Sequence, residues 1–80
     1  MRYVIIVREW FDKTHGNSYF TLRVVDTISR EWHVLPMTYG HGLGTYYRAA
    51  EELLGHPIET TDAFVDSVRV QRKSELHQII

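Results

Sequence analysis

Cysteine is absent from this chain of 80 residues, and with it go disulfide staples, thiolate metal sites and cysteine nucleophiles. A reducing, cytoplasmic setting fits that absence. Charge of one sign is not in excess either, with nine Lys and Arg against ten Asp and Glu. The chain therefore lacks the strongly basic footprint of a nonspecific nucleic-acid binder and the strongly acidic one of a DNA mimic. Long apolar runs are missing too, since no stretch approaches the roughly 18 residues a membrane span needs. The opening MRYVIIVREWF places a charge before an apolar run, but Arg8 and Glu9 break that run and no small-residue cleavage site follows, so it reads as a strand rather than a leader. What the chain does have is Val, Ile, Leu and aromatic residues in globular proportion, enough for one small domain over 1–80. A domain of this size buries only about 60% of the surface of its unfolded chain, so its stability is expected to be marginal.

The patterning supports an α+β fold. Tyr3 to Val7 is β-branched and continuously apolar, and Trp10 and Phe11 extend it as a first strand. Asp12 to Asn17 follows as a hairpin loop, with a Gly-Asn pair to supply positive φ and an Asp and a Thr to bond nearby amides. In SYFTLRVVD, Phe20, Leu22 and Val24 alternate with Tyr19, Thr21 and Arg23, the clearest period of two in the chain. Asp26 to Arg30 is a second polar turn, and Glu31 to Tyr39 a third strand. Pro36 cannot donate to a ladder, so this strand is expected at an edge or with a bulge. After Gly40-His41-Gly42-Leu43-Gly44 comes a helix with Tyr46, Ala50, Leu53 and Leu54 on one face and Arg48, Glu51 and Glu52 on the other, stopped by Gly55 and Pro57. The segment from Phe64 to Lys73 reads as strand or helix; alternation from Asp66 to Arg72 favours a strand with Phe64, Val68 and Val70 inward. The expected order is β-β-β-α-β, one helix packed on one face of a small antiparallel sheet.

Few residue constellations carry chemistry. The glycines at 40, 42 and 44 precede a helix, but no GK[ST] follows and the spacing is not G-x-G-x-x-G, so they read as a strand-to-helix turn. The five histidines are scattered over separate elements without metal-ligand spacing, and no metal or cofactor is expected. No serine stands in a nucleophile elbow, and Glu51 and Glu52 are adjacent on a helix and point apart. The reading is therefore non-enzymatic. Arg69, Arg72 and Lys73 form a basic cluster that, with aromatic residues on a sheet face, could bind nucleic acid. Against that, residues 51–66 carry five acids and no Lys or Arg. Trp10, Phe11, Tyr19 and Phe20 flank the first hairpin loop, and alternation sends one of each pair to each face of the sheet. The face away from the helix would then carry an aromatic and polar patch, the composition of a protein interface.

WFDKTHGNSYF followed by MTYGHG resembles small uncharacterised proteins of phages, archaeal viruses and prophages that share a WFDK-x-x-GNSY hairpin and a YG-x-G segment before a helix. The matching positions are Trp10 to Lys13, Gly16 to Tyr19, and Tyr39, Gly40 and Gly42, over roughly the first half of the chain. That resemblance brings no catalytic residues. It implies a viral or mobile-element accessory protein, and such proteins often bind and inhibit a host enzyme or defence complex, anti-CRISPR proteins among them. The expected contact surface is Arg8, Trp10, Asp12, Lys13, His15, Tyr19, Tyr39 and His41, facing a host or viral protein. The alternative is a nucleic-acid-binding module using Arg69, Arg72 and Lys73. A homodimer through the Pro36-bearing edge strand is a further route to stability.

Overall fold

The computed structural model describes residues 1–79. Four strands form one sheet, β1 (Tyr3–Asp12), β2 (Asn17–Asp26), β3 (Trp32–Tyr39) and β4 (Ala63–Arg69), with the spatial order β3-β2-β1-β4. One helix, α1 (Leu43–Leu54), joins β3 to β4, and a short 3-10 turn, Thr60–Asp62, leads into β4. A second 3-10 segment, Lys73–Ile79, follows β4 and is called the strap below. The α+β class is as expected.

The two hairpins use the same loop. In each, an aspartate ends a strand and four residues turn: Gly16 N–H donates to the Asp12 carbonyl at 2.7 Å, and Arg30 N–H donates to the Asp26 carbonyl at 2.7 Å. In each, the Asp Oδ1 also accepts two amides inside the loop, those of Thr14 and His15 for Asp12, and those of Ile28 and Ser29 for Asp26. The fourth loop residue is left-handed in both, with Gly16 at φ 69 and Arg30 at φ 66. Of the expected Gly-Asn pair only Gly16 takes a positive φ, and Asn17 already belongs to β2.

β1, β2 and β3 pair antiparallel in sequence order. β3 lies at an edge, and its pairing with β2 slips between Phe20↔Thr38 and Leu22↔Leu35, so Pro36 and Met37 together oppose Thr21. Both consequences expected of Pro36 therefore occur. An all-antiparallel sheet does not: β4 pairs parallel with β1, from Tyr3↔Ala63 to Glu9↔Arg69. Connectivity requires this, because β3 runs in the direction of β1, α1 carries the chain back, and β4 must set out the same way again.

Alternation sends Tyr3, Ile5, Val7, Phe20, Leu22 and Val24 to one face, where they are buried against Tyr46 and Ala50 of α1. Burial of each aliphatic side chain there stabilises the fold by roughly 1.5–3 kcal/mol. On β4 the inward residues are Ala63 and the half-buried Val65, while Phe64 and Val68 are exposed, which corrects the expected inward set. In the parallel register, Ala63 and Val65 stand beside Tyr3 and Ile5, whereas Phe64 stands beside Val4 on the opposite face. The strand also ends at Arg69 rather than Lys73.

The opposite face of the sheet is not left open. The strap lies across it, with Leu76 fully buried and its carbonyl accepting a hydrogen bond from the buried Thr21 hydroxyl. The end of that face nearer the first hairpin carries the aromatic row, and towards the other end Phe64 and Trp32 are exposed on the same face.

Candidate functional site

Register places three aromatic residues in a row on the strap side of the sheet. Trp10 pairs with Tyr19 and Tyr19 with Tyr39, and cross-strand partners share a face. Trp10 and Tyr19 stack with ring centroids 6.0 Å apart, and Tyr19 meets Tyr39 edge-on at 5.8 Å. Both geometries are favourable for aromatic pairs. The row grades from half-buried Trp10 and Tyr19 to Tyr39, which is 68% exposed. The other members of the two aromatic pairs face the helix: Phe20 is core, in edge contact with Tyr46, and Phe11 stands beyond the helix and is exposed.

Charged and polar residues rim this row. Arg8, two positions before Trp10, emerges on the same face, and its Nη1 donates to the Val7 carbonyl at 3.1 Å. Asp12, Lys13 and His15 form the hairpin loop. The His15 ring lies 2.8 Å from Asp12 Oδ2, and this contact, with the amides of His15 and Thr14 adding to it, holds the Asp12 carboxyl below its usual range. His41 shares a hollow with Tyr39, Gly16 and Ser18 at the far end of the row. The structure thus places Trp10, Tyr19 and Tyr39 in contact, Arg8 on their face, and Asp12, Lys13, His15 and His41 at the two ends of the row.

The basic cluster is split by the fold. Arg69 ends β4 on the helix-facing side, opposite Glu9 in the register, whereas Arg72 lies in the turn beyond it and Lys73 opens the strap. Arg69 nevertheless reaches the first hairpin, because it lines a cleft of about 470 Å³ together with Trp10, Phe11, Asp12, Lys13 and Gln71. That cleft was not foreseen from sequence. Its origin is a mismatch of strand length, since β1 runs three residues past its last register partner on β4. Beneath it, Tyr46 OH donates to Glu9 Oε2 at 2.7 Å, and burial followed by this carboxylate pushes the Tyr46 hydroxyl well above the ordinary phenol range.

Among the described residues no group of three or more His, Asp or Glu side chains is placed to hold a metal ion. No helix among them is long and apolar enough to cross a membrane. No family model, curated protein or solved structure matches the chain.

Proposed function

We propose that this chain is a non-enzymatic accessory protein of viral type that binds a host or viral protein and inhibits or modulates it in the host cytoplasm, as anti-defence inhibitors do. The observation that carries this reading is the row Trp10, Tyr19 and Tyr39. A small domain can place Phe20 and Tyr46 in its core, yet this row is held by ring contacts on a face that the helix does not cover. Rigid aromatic anchors flanked by Arg8, Asp12, Lys13, His15 and His41 have the make-up of an interface centre with a polar rim.

The test is capture from host lysate, with and without nuclease, by the wild-type chain and by the Tyr39→Ala and Arg8→Ala variants. A stoichiometric host protein that survives nuclease and is lost with Tyr39→Ala is the expected result. Recovery of nucleic acid alone overturns it. Because Tyr39 is exposed, its truncation is expected to change stability by only about 0.5 kcal/mol.

A second reading is favoured by one observation: Arg69 and Lys13 line the same cleft as Trp10, and Arg72 and Lys73 come shortly after Arg69 in the chain. Cations beside an aromatic face suit a single-stranded nucleic acid. Its mark is affinity that falls steeply with salt, and salt-independent capture removes it.

A further inference from the structure

We infer that a second copy of this chain pairs with the outer edge of β3, antiparallel and about a two-fold axis at His33, so that the two sheets join into one. This interface is separate from the aromatic row proposed above to hold a host or viral protein.

The edge can be read group by group. β3 stands first in the sheet order, and among the described residues no strand lies beyond it. Asp26 N–H donates to the Glu31 carbonyl at 2.9 Å, which turns Glu31 towards β2. Along a strand in such a ladder, alternate residues bond to the same neighbour. His33 and Leu35 therefore also bond to β2, while Trp32, Val34 and Pro36 turn their backbone groups outward. Trp32 and Val34 each present a free N–H and a free carbonyl there, a template for another strand. The next outward position on either side has no donor to give. Pro36 lacks an N–H and its carbonyl accepts the Thr38 hydroxyl at 2.8 Å. Arg30 already donates its N–H to the Asp26 carbonyl at 2.7 Å.

An edge bounded in this way matches itself. With the axis at His33, Trp32 of each copy faces Val34 of the other, and every one of these donors and acceptors is paired. Pro36 then falls opposite Arg30, where neither has a donor to lose. Moving the axis to Val34 sets Trp32 against Pro36 and leaves the Trp32 carbonyl without a donor. Moving it to Trp32 sets Val34 against Arg30, with the same loss at the Val34 carbonyl. A foreign strand long enough to pass Pro36 or Arg30 brings carbonyls to positions that cannot serve them, so the edge suits a second copy and not a longer guest. The side chains select the same register independently. Trp32 is 52% exposed and Val34 half-buried, both on the strap side of the sheet. The indole of each copy covers Val34 of the other, and aromatic residues pair well with β-branched ones across strands.

The experiment follows the full chain by sedimentation equilibrium up to about 1 mM, the range in which a small interface associates. A reversible monomer–dimer equilibrium is the expected result. Val34→Pro removes the outward N–H without touching a bond to β2, and is expected to weaken the dimer at least about tenfold. Trp32→Ala, at an exposed position, is expected to weaken it too, and the amide NMR spectrum verifies that both variants stay folded. The register has its own test, because the chain holds no cysteine. Facing residues in a non-hydrogen-bonded pair have Cα atoms about 4.5 Å apart, within reach of a disulfide. His33→Cys is therefore expected to give a disulfide-linked dimer in a glutathione redox buffer, whereas Glu31→Cys, which would face Leu35 of the other copy, is expected to give none. The inference is overturned by a monomer at the highest concentration, by a dimer indifferent to Val34→Pro, or by equal cross-linking of the two cysteine variants. A monomer whose Trp32 and Val34 amides shift on adding Ac-Val-Thr-Val-Thr-Val-NH2 would assign the edge to a foreign strand and overturn the second copy.

Discussion

Arg30 and Gly16 occupy the same place in two copies of one loop, yet only glycine takes a left-handed φ without a clash at Cβ. Arg30 at φ 66 carries strain of about 1–2 kcal/mol. Arg30→Gly is expected to raise stability by up to about 1 kcal/mol, the added freedom of the unfolded chain offsetting part of the relief. Chemical denaturation of the two proteins measures it, and an unchanged or lowered midpoint would show that the arginine side chain contributes more than its backbone costs. Tyr46 acts in the opposite sense. Its hydroxyl is held neutral by burial and by Glu9, so the stability it brings is present below the ordinary phenol range near pH 10 and is lost as pH rises above it. Tyr46→Phe is expected to cost about 1.5–3 kcal/mol at neutral pH and to flatten the alkaline fall in melting temperature. A variant with the wild-type alkaline profile would assign that fall to another group.

Secondary elements explain which parts of the fold were legible in sequence. The alternation of Phe20, Leu22 and Val24 fixed β2 and its buried face, and the spacing of Tyr46 and Ala50 fixed the inner face of α1, because a single period suffices for an element with one dry side. β4 failed that rule. Phe64 and Val68 looked inward on hydrophobicity alone, but the register with β1 turns Ala63 and Val65 to the core, and only pairing decides that. The parallel direction of β4 could have been deduced from an odd number of strands followed by one returning helix. The aromatic row was legible as residue types flanking a hairpin; its contact geometry was not, because Pro36 announces a bulge but not the register that it leaves, and that register is what sets Tyr39 beside Tyr19. The strap was missed altogether. Its signal was a lone leucine, Leu76, between Gln71 and Gln78, and its meaning lies with Thr21 on another element. Leu76→Ala is expected to cost about 2–5 kcal/mol, as for any fully buried leucine. A loss under 1 kcal/mol in denaturant unfolding would show the strap to be a loosely held cover.

Across the whole molecule, the sheet gives an elongated body of 40 × 21 × 18 Å, tied at one end by Arg2 and Asp26. Arg2 Nε lies 3.1 Å from both Asp26 oxygens and Nη2 lies 2.9 Å from Oδ2, a two-pronged contact. This pairing, with the Ile28 and Ser29 amides adding to it, holds the Asp26 carboxyl far below its usual range, and the His15 contact lowers Asp12 at the other hairpin. For a depressed carboxylate the contribution to stability is complete above the ordinary value near pH 4 and is lost as pH falls through the folded-state value. The melting temperature is therefore expected to drop between about pH 4 and pH 2, and Asp26→Asn to lower it at neutral pH while making the acid limb shallower. An acid limb unchanged in Asp26→Asn would rule out Asp26 as its source. The strap has a consequence for the order in which the fold can form. Each hairpin closes over a four-residue loop, whereas the contact from Thr21 to Leu76 spans 55 positions and must await β4. Local closures are fast and distant ones slow. During synthesis the face bearing Thr21 thus stays bare until Leu76 has cleared the ribosome, and through that interval the aromatic row and the centre of the sheet form one continuous sticky surface.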